Sequence, residues 1–69
     1  QGVIMLKYFK TLKGAQKYAN NNSRSQILSI LIDREAKEYG DDCYVVATES
    51  GLRHLDQMNW DYRVIETWD

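Results

Sequence analysis

The distribution of apolar and polar positions along the chain predicts a succession of short elements. Residues 3–9, VIMLKYF, are rich in β-branched and aromatic side chains, which is typical of a strand. The next segment follows Thr11, a good N-cap, and has one apolar face at three-to-four-residue spacing, formed by Leu12, Ala15, Tyr18 and Ala19. The polar run NNNS at 20–23 ends this predicted helix, because Asn and Ser side chains hydrogen-bond to the local backbone in turns.

The middle segment, residues 25–40, fits two patterns. As a helix it has Ser25 as N-cap, Gly40 as C-cap and an apolar stripe formed by Leu28, Ile32, Ala36 and Tyr39. As a strand, QILSILID is compact and isoleucine-rich, and REAKEYGDD then turns the chain back. The helix leaves Ile30 on its polar side, whereas the strand has apolar residues on both faces and requires cover on both. We favour the strand and keep a helix at 25–39 as the alternative.

The last third of the chain is easier to assign. CYVVAT at 43–48 predicts a strand, Ser50 is the expected N-cap of a helix over GLRHLDQMN, and DYRVIETW at 61–68 predicts the final strand. The resulting β-α-β-β-α-β order is that of ferredoxin-like folds. We therefore expect an α+β fold, a small antiparallel sheet with two helices on one face. The alternative is a three-stranded sheet with a third helix at 25–39.

Length and composition limit the classes of protein. Sixty-nine residues make a single domain, 1–69, and 43% apolar residues suit a folded chain. Proline is absent and no run of eighteen apolar residues occurs, so neither a flexible linker nor a membrane span is expected. Residues 1–4 are candidates for a cloning remnant, with Met5 the natural first residue. Cys43 stands alone, which excludes an internal disulfide and favours a reducing cytoplasm.

Charge is unevenly distributed, although the net charge is −1. Residues 1–34 contain six Lys or Arg and one Asp, a net +5, whereas residues 35–69 contain three Lys or Arg and nine acids, a net −6. The stretch KYFKTLKGAQKY at 7–18 has four lysines and no acid. The candidate contacts for an anion or a partner are Lys10, Lys13, Lys17 and Arg24.

Several interpretations of this charge separation are open. The charged residues can be solvated faces without a binding role, or the basic part of one copy can bind the acidic part of another. The basic part can also recognise an anion, and the acidic part can imitate a polyanion. A sequence pI near 5.7 and few arginines disfavour nucleic acid. We therefore predict a non-enzymatic protein-interaction module with an unknown protein partner, and keep nucleic-acid binding as the alternative.

No motif indicates catalysis, a metal or another cofactor. His54 is the single histidine, and Asp56, two residues further along a helix, points to another face. Cys43 lies beside Asp41 and Asp42, which disfavour the thiolate that a nucleophile requires. One Cys and one His are too few for a zinc site, and no glycine-rich phosphate loop occurs. We expect no enzymatic activity.

Aromatic residues provide a second set of candidates. Trp60 is expected to close the core, whereas Tyr44, Tyr62 and Trp68 are candidates for an interface, with Tyr8 beside them on the open face of the sheet. A chain of this length has a limited core, so a homodimer is a natural way to bury more surface.

Two stretches carry a resemblance. YFKTLKGAQKYA near the start and YVVATESGLRHLD later, followed by a closing strand, resemble small uncharacterised proteins of phages and prophages. The resemblance covers much of the chain and implies a small protein that binds and modulates a host or phage component. It implies no activity and assigns no functional residue.

Overall fold

The computed structural model describes residues 3–69, so Gln1 and Gly2, and with them part of the prediction on residues 1–4, lie outside the described residues. Four strands and three helices alternate along the chain: β1 (Leu6–Phe9), α1 (Leu12–Asn22), β2 (Leu28–Asp33), α2 (Arg34–Glu38), β3 (Tyr44–Thr48), α3 (Glu49–Gln57) and β4 (Tyr62–Trp68). The strands form one antiparallel sheet in the order β1-β3-β2-β4. The predicted α+β fold with a small antiparallel sheet is confirmed.

The ambiguous middle segment contains both a strand and a short helix. Residues 28–33 form β2, as we favoured, and the helical pattern is realised only in α2. Asp33 is the last residue of β2 and the N-cap of α2. Its Oδ1 accepts hydrogen bonds from the backbone N–H groups of Glu35 and Ala36, each at 3.1 Å. The chain leaves α2 at Gly40, whose φ of 77° suits glycine.

The position of β4 corrects the predicted arrangement of the helices. In the ferredoxin-like order the last strand lies beside β1, but here it pairs with β2. The connections β1-α1-β2 and β3-α3-β4 therefore step in the same direction across the sheet while their strands run in opposite directions. Crossovers of one hand then place their helices on opposite faces. The prediction of both helices on one face is wrong, and the molecule has three layers.

Two hydrophobic clusters, one on each face, confirm the layering. Ala15 and Ala19 of α1 pack on the first face with Leu28, Ile30 and Val46. Leu55 of α3 packs on the second face with Leu31, Val45 and Ala47. Because side chains alternate along a strand, β2 and β3 supply apolar residues to both clusters.

The helix starts were predicted with mixed success. Thr11 caps α1, as expected, and its Oγ1 accepts a hydrogen bond from Gly14 N at 3.1 Å. The predicted N-cap of the last helix, Ser50, is wrong by two residues: Thr48 is the cap, and its Oγ1 accepts from Gly51 N at 3.1 Å. Within residues 3–69, no helix is both long and apolar enough to cross a membrane.

Candidate functional site

A groove with a volume of about 780 Å³ lies beside α2 and the loop that follows it. Ten residues line it: Tyr8, Lys10, Asp33, Glu35, Ala36, Tyr39, Gly40, Asp41, Asp42 and Trp60. They come from the end of β1, the β2–α2 junction, the loop before β3 and the turn after α3. The groove therefore draws together three parts of the chain that are far apart in sequence, residues 8–10, residues 33–42 and Trp60.

Asp33 forms the floor of this groove and is 2% exposed. The hydroxyl of Tyr8 donates to its Oδ2 at 2.7 Å, while its Oδ1 caps α2. Burial raises the pKa of a carboxyl group, but the hydrogen bonds from Tyr8 and from the backbone of α2 outweigh it and lower the pKa of Asp33. The hydrogen bonds from Tyr8 and from the first turn of α2 therefore favour the ionised form of the Asp33 carboxyl.

The same hydrogen bond affects the phenol. Partial burial and then the bond to Asp33 raise the pKa of Tyr8 to about 12. Trp60 lines the same groove, and its buried indole Nε1 has no hydrogen-bond partner among residues 3–69. Asp33 is thus enclosed by a tyrosine, a tryptophan and the first turn of α2.

The basic candidates do not form one cluster. Lys13 and Lys17 lie one turn apart on the exposed side of α1, and Arg24 is exposed just beyond the end of that helix. Lys10 lies at the edge of the groove instead. Within residues 3–69 the single ion pair joins Arg34 and Asp61 at 3.7 Å, so none of these four cations is neutralised by an acid of the described chain.

Lys7 adds to the basic surface of the α1 layer. Its Nζ lies 5.6 Å from the centre of the Tyr18 ring and 6.0 Å from that of Phe9, within the range of a cation–π contact. The α1 helix itself contains no acidic residue. We name the surface formed by Lys7, Lys13, Lys17 and Arg24 the basic face.

The three candidate interface aromatics are separated by the sheet. Tyr44 and Trp68 pack against the α1-side cluster, whereas Tyr62 packs against the α3-side cluster and donates to Asp56 Oδ1 at 2.5 Å. All three are half-buried. They do not line one open face, since helices cover both faces. Trp60 packs against the α3-side cluster, the position expected for it.

The other reactive side chains stand apart. His54 lines a small depression of about 220 Å³ with Ile4, Ser50, Arg53 and Gln57, and Cys43 is a free, half-buried thiol before β3. Over the described range 3–69, no three His, Cys, Asp or Glu side chains are grouped so that they could hold a metal ion.

Sequence reasoning missed most of the groove. Asp33, Glu35, Tyr39 and Asp42 were not candidates. The sequence signal was present, since an aspartate before REAKE and a glycine after it are the start and stop signals of a short helix. The contact of Tyr8 with Asp33, 25 residues away, depends on the order of the strands and leaves no local signal.

Comparisons with known proteins give no relative. No family model, no curated protein and no solved structure matches this chain.

Proposed function

We propose that this protein is a non-enzymatic interaction module that docks on an acidic surface of a larger partner protein through its basic face. The observation that carries the proposal is the set of exposed cations in the α1 layer, which have no acidic neighbour on α1 and form no ion pair with any of residues 3–69. A cation without an internal partner is free to bind an anion of another molecule, and complementary charge steers the encounter.

The position of Lys13 further supports this proposal. It lies in the first turn of α1, which has no acidic residue. A cation there is unfavourable by a few tenths of a kcal/mol, because the helix dipole already makes this end positive. A residue that costs stability where it stands is better explained by contact with a partner than by folding.

The experiment is capture of partners from native cell extract with the unmodified protein and with the double variant Lys13→Glu/Lys17→Glu. The control variant, Lys37→Glu/Arg53→Glu, makes the same change in net charge on exposed positions of α2 and α3. We expect one protein to be lost with the first variant and retained with the control. Equal loss with both variants would contradict docking through the basic face, provided that circular dichroism shows both to be folded.

Nucleic-acid binding is the second candidate function, because lysines one turn apart can also neutralise phosphates. The acids of the groove oppose it, since Glu35, Asp41 and Asp42 repel a polyanion that extends around the molecule. A salt titration against generic DNA and RNA distinguishes the two. Binding whose logarithm falls linearly with that of salt concentration favours nucleic acid, and its absence favours a protein partner.

A homodimer through β4 is proposed as part of this function. Within residues 3–69, β4 is the longest strand, pairs only with β2 and leaves its other edge unpaired, and its Val64 is 42% exposed. Unpaired backbone groups on such an edge can pair with another strand. We also propose, from the resemblance to phage-type proteins, that the partner is a host or phage component in the cytoplasm.

The dimer is tested with a proline on the outer edge of β4. The backbone N–H of Asp33 donates to Cys43 O and that of Arg34 donates to Asp61 O. Successive residues of β2 therefore direct their backbone hydrogen bonds alternately to β3 and to β4. Ser29 therefore faces β3, and its partner Thr67 directs its N–H outward. Thr67→Pro leaves the internal ladder intact, and we expect it to convert a dimer to a monomer in mass measurement. If the unmodified protein is already a monomer, the proposed dimer is wrong, but docking through the basic face is unaffected.

A further inference from the structure

The groove beside α2 contains the two most exposed aromatic side chains of residues 3–69. Tyr39 is 76% exposed and Tyr8 41%, whereas every other aromatic residue in that range is half-buried. Both tyrosines line the same groove. Exposed aromatic side chains that converge on one cavity are unusual on a monomer surface and mark binding sites.

Three carboxylates stand at the edge of the same groove. Glu35, Asp41 and Asp42 are exposed and take no part in an ion pair within the described residues. The turn at Gly40 carries the chain from Tyr39 to Asp41, and its backbone N–H bonds to Lys37 O at 3.1 Å. Hydrogen bonds at this turn thus hold an aromatic ring and the acids at one site.

We propose that this groove binds an arginine side chain from an extended segment of a partner protein. A guanidinium group stacks flat on tyrosine rings and donates paired hydrogen bonds to carboxylates, and the groove offers both at once. Lysine carries the same charge but is compact and cannot stack, so it fits less well. The combination of exposed rings and acids therefore favours arginine, whereas acids alone would not distinguish arginine from lysine.

This inference goes beyond the basic face and is independent of it. Trp60 and residues of α2 line the groove, which lies on the side of the sheet opposite α1. Lys13→Glu/Lys17→Glu should therefore leave groove binding within about twofold of the unmodified protein. The two proposals can therefore fail separately: Lys13→Glu/Lys17→Glu tests the basic face, and substitutions in the groove test the binding of arginine.

The probe is an acetylated and amidated tetra-arginine peptide, and the signal is the fluorescence of Trp60. Trp68 lies on the α1 side, so Trp68→Phe isolates the indole at the groove. We expect saturable binding of tetra-arginine, binding of tetra-lysine that is several-fold weaker, and no binding of tetra-glutamate. Equal binding of the arginine and lysine peptides would overturn the assignment to arginine, and no saturation would overturn the site.

Groove variants and a matched control complete the test. Asp41→Asn/Asp42→Asn should weaken tetra-arginine binding about tenfold, and Tyr39→Ala about two- to fivefold, as expected for loss of an exposed cation–π contact. Glu38→Gln/Glu49→Gln removes the same charge outside the groove and should change binding by less than twofold. Lys10→Gln removes the cation at the edge and should strengthen binding. If Glu38→Gln/Glu49→Gln weakens binding as much as Asp41→Asn/Asp42→Asn, the loss is explained by net charge alone, which contradicts the proposal.

Discussion

The two sides of the sheet are stabilised in different ways. On the α1 side the helix contacts the sheet through two fully buried alanines, Ala15 and Ala19, and the buried cluster contains only apolar residues. On the α3 side the sheet buries two polar residues, Ser29 and Asp33, and Asp33 caps α2; a third, Thr48, lies at the end of β3 opposite Leu28 and caps α3. The first interface depends mainly on close packing, with hydrogen bonds to Glu66 at its margin, whereas the second includes a buried carboxylate that needs its hydrogen-bond donors.

Thr48 shows what a buried polar cap contributes to the fold. Its hydroxyl donates to Val3 O at 2.5 Å and accepts from the N–H groups of Met5 and Gly51, each at 3.1 Å. One side chain thus starts α3 and fastens the segment before β1. A buried polar group is stable only when its partners are present, so buried caps such as Thr48 and Asp33 should be sensitive to the removal of a single hydrogen-bonding atom.

The largest expected effect compares neighbouring residues of β2. Ile30 faces α1 and Leu31 faces α3, and both are fully buried. Ile30→Ala and Leu31→Ala should each lower the free energy of unfolding by about 2–5 kcal/mol, through lost transfer energy and a residual cavity. Urea denaturation followed by circular dichroism measures both. Loss of one layer while the other stays folded would show that the layers are not one cooperative unit.

The next effect isolates the polar side. Asp33→Ala should cost about 2–3 kcal/mol of unfolding free energy, because α2 loses its N-cap and Tyr8 loses a charged acceptor. Tyr8→Phe removes only the second of these and should cost about 1 kcal/mol. Denaturant titration of both variants provides the comparison. A cost for Asp33→Ala no greater than that for Tyr8→Phe would show that the cap contributes nothing.

A pair of glycines sharpens the comparison between the helices. A Cβ on Gly51 of α3 would lie 2.5 Å from Met5 O, a backbone atom, whereas one on Gly14 of α1 would lie 3.3 Å from the Thr11 hydroxyl. Gly51→Ala should therefore destabilise by about 1–3 kcal/mol. Gly14→Ala should stay near neutral or stabilise by up to about 1 kcal/mol, since alanine favours helices. Thermal unfolding of both variants measures the difference, and equal midpoints would contradict it.

The smallest effect is a dependence on pH. The pKa of Asp33 is lowered on folding, so its contribution to stability is present above the unfolded value near 4 and is lost as pH falls below it. The pKa of Tyr8 is raised to about 12, so its contribution is complete below about pH 10 and is lost as pH rises from about 10 to 12. Absorbance titration should show a late-ionising tyrosine that Tyr8→Phe removes. An unchanged alkaline titration would contradict the Tyr8–Asp33 bond.

The elements were predictable where the local pattern is strong. The strands that end at Phe9, Thr48 and Trp68 were expected from β-branched and aromatic runs, and Thr11 from its capping chemistry. The junction at Asp33 was harder because residues 28–33 are apolar on both faces, which a helix and a doubly covered strand share. The double burial was itself the clue to a helix on each side.

The position of the last strand was not predictable from local pattern. β4 has the same composition whether it pairs with β1 or with β2, and that choice alone decides which face α3 covers. One part of the groove follows from the same choice, because Trp60 comes after α3 and lies on the face that α3 covers. The lysines of the stretch 7–18 are exposed, since a lysine-rich helix without acids has few internal partners, and their contact with an anion or a partner stays a prediction.

The order β1-β3-β2-β4 also has a mechanical consequence. Leu6 pairs with Ala47, Leu28 with Thr48 and Leu28 with Trp68, so the start of the first strand and the end of the last lie in adjacent rows at opposite margins of the sheet. Tension between residues 6 and 68 acts along the hydrogen bonds and not along the strands. The hydrogen bonds of the outer strands then break one after another, so we expect unfolding under tension at low force.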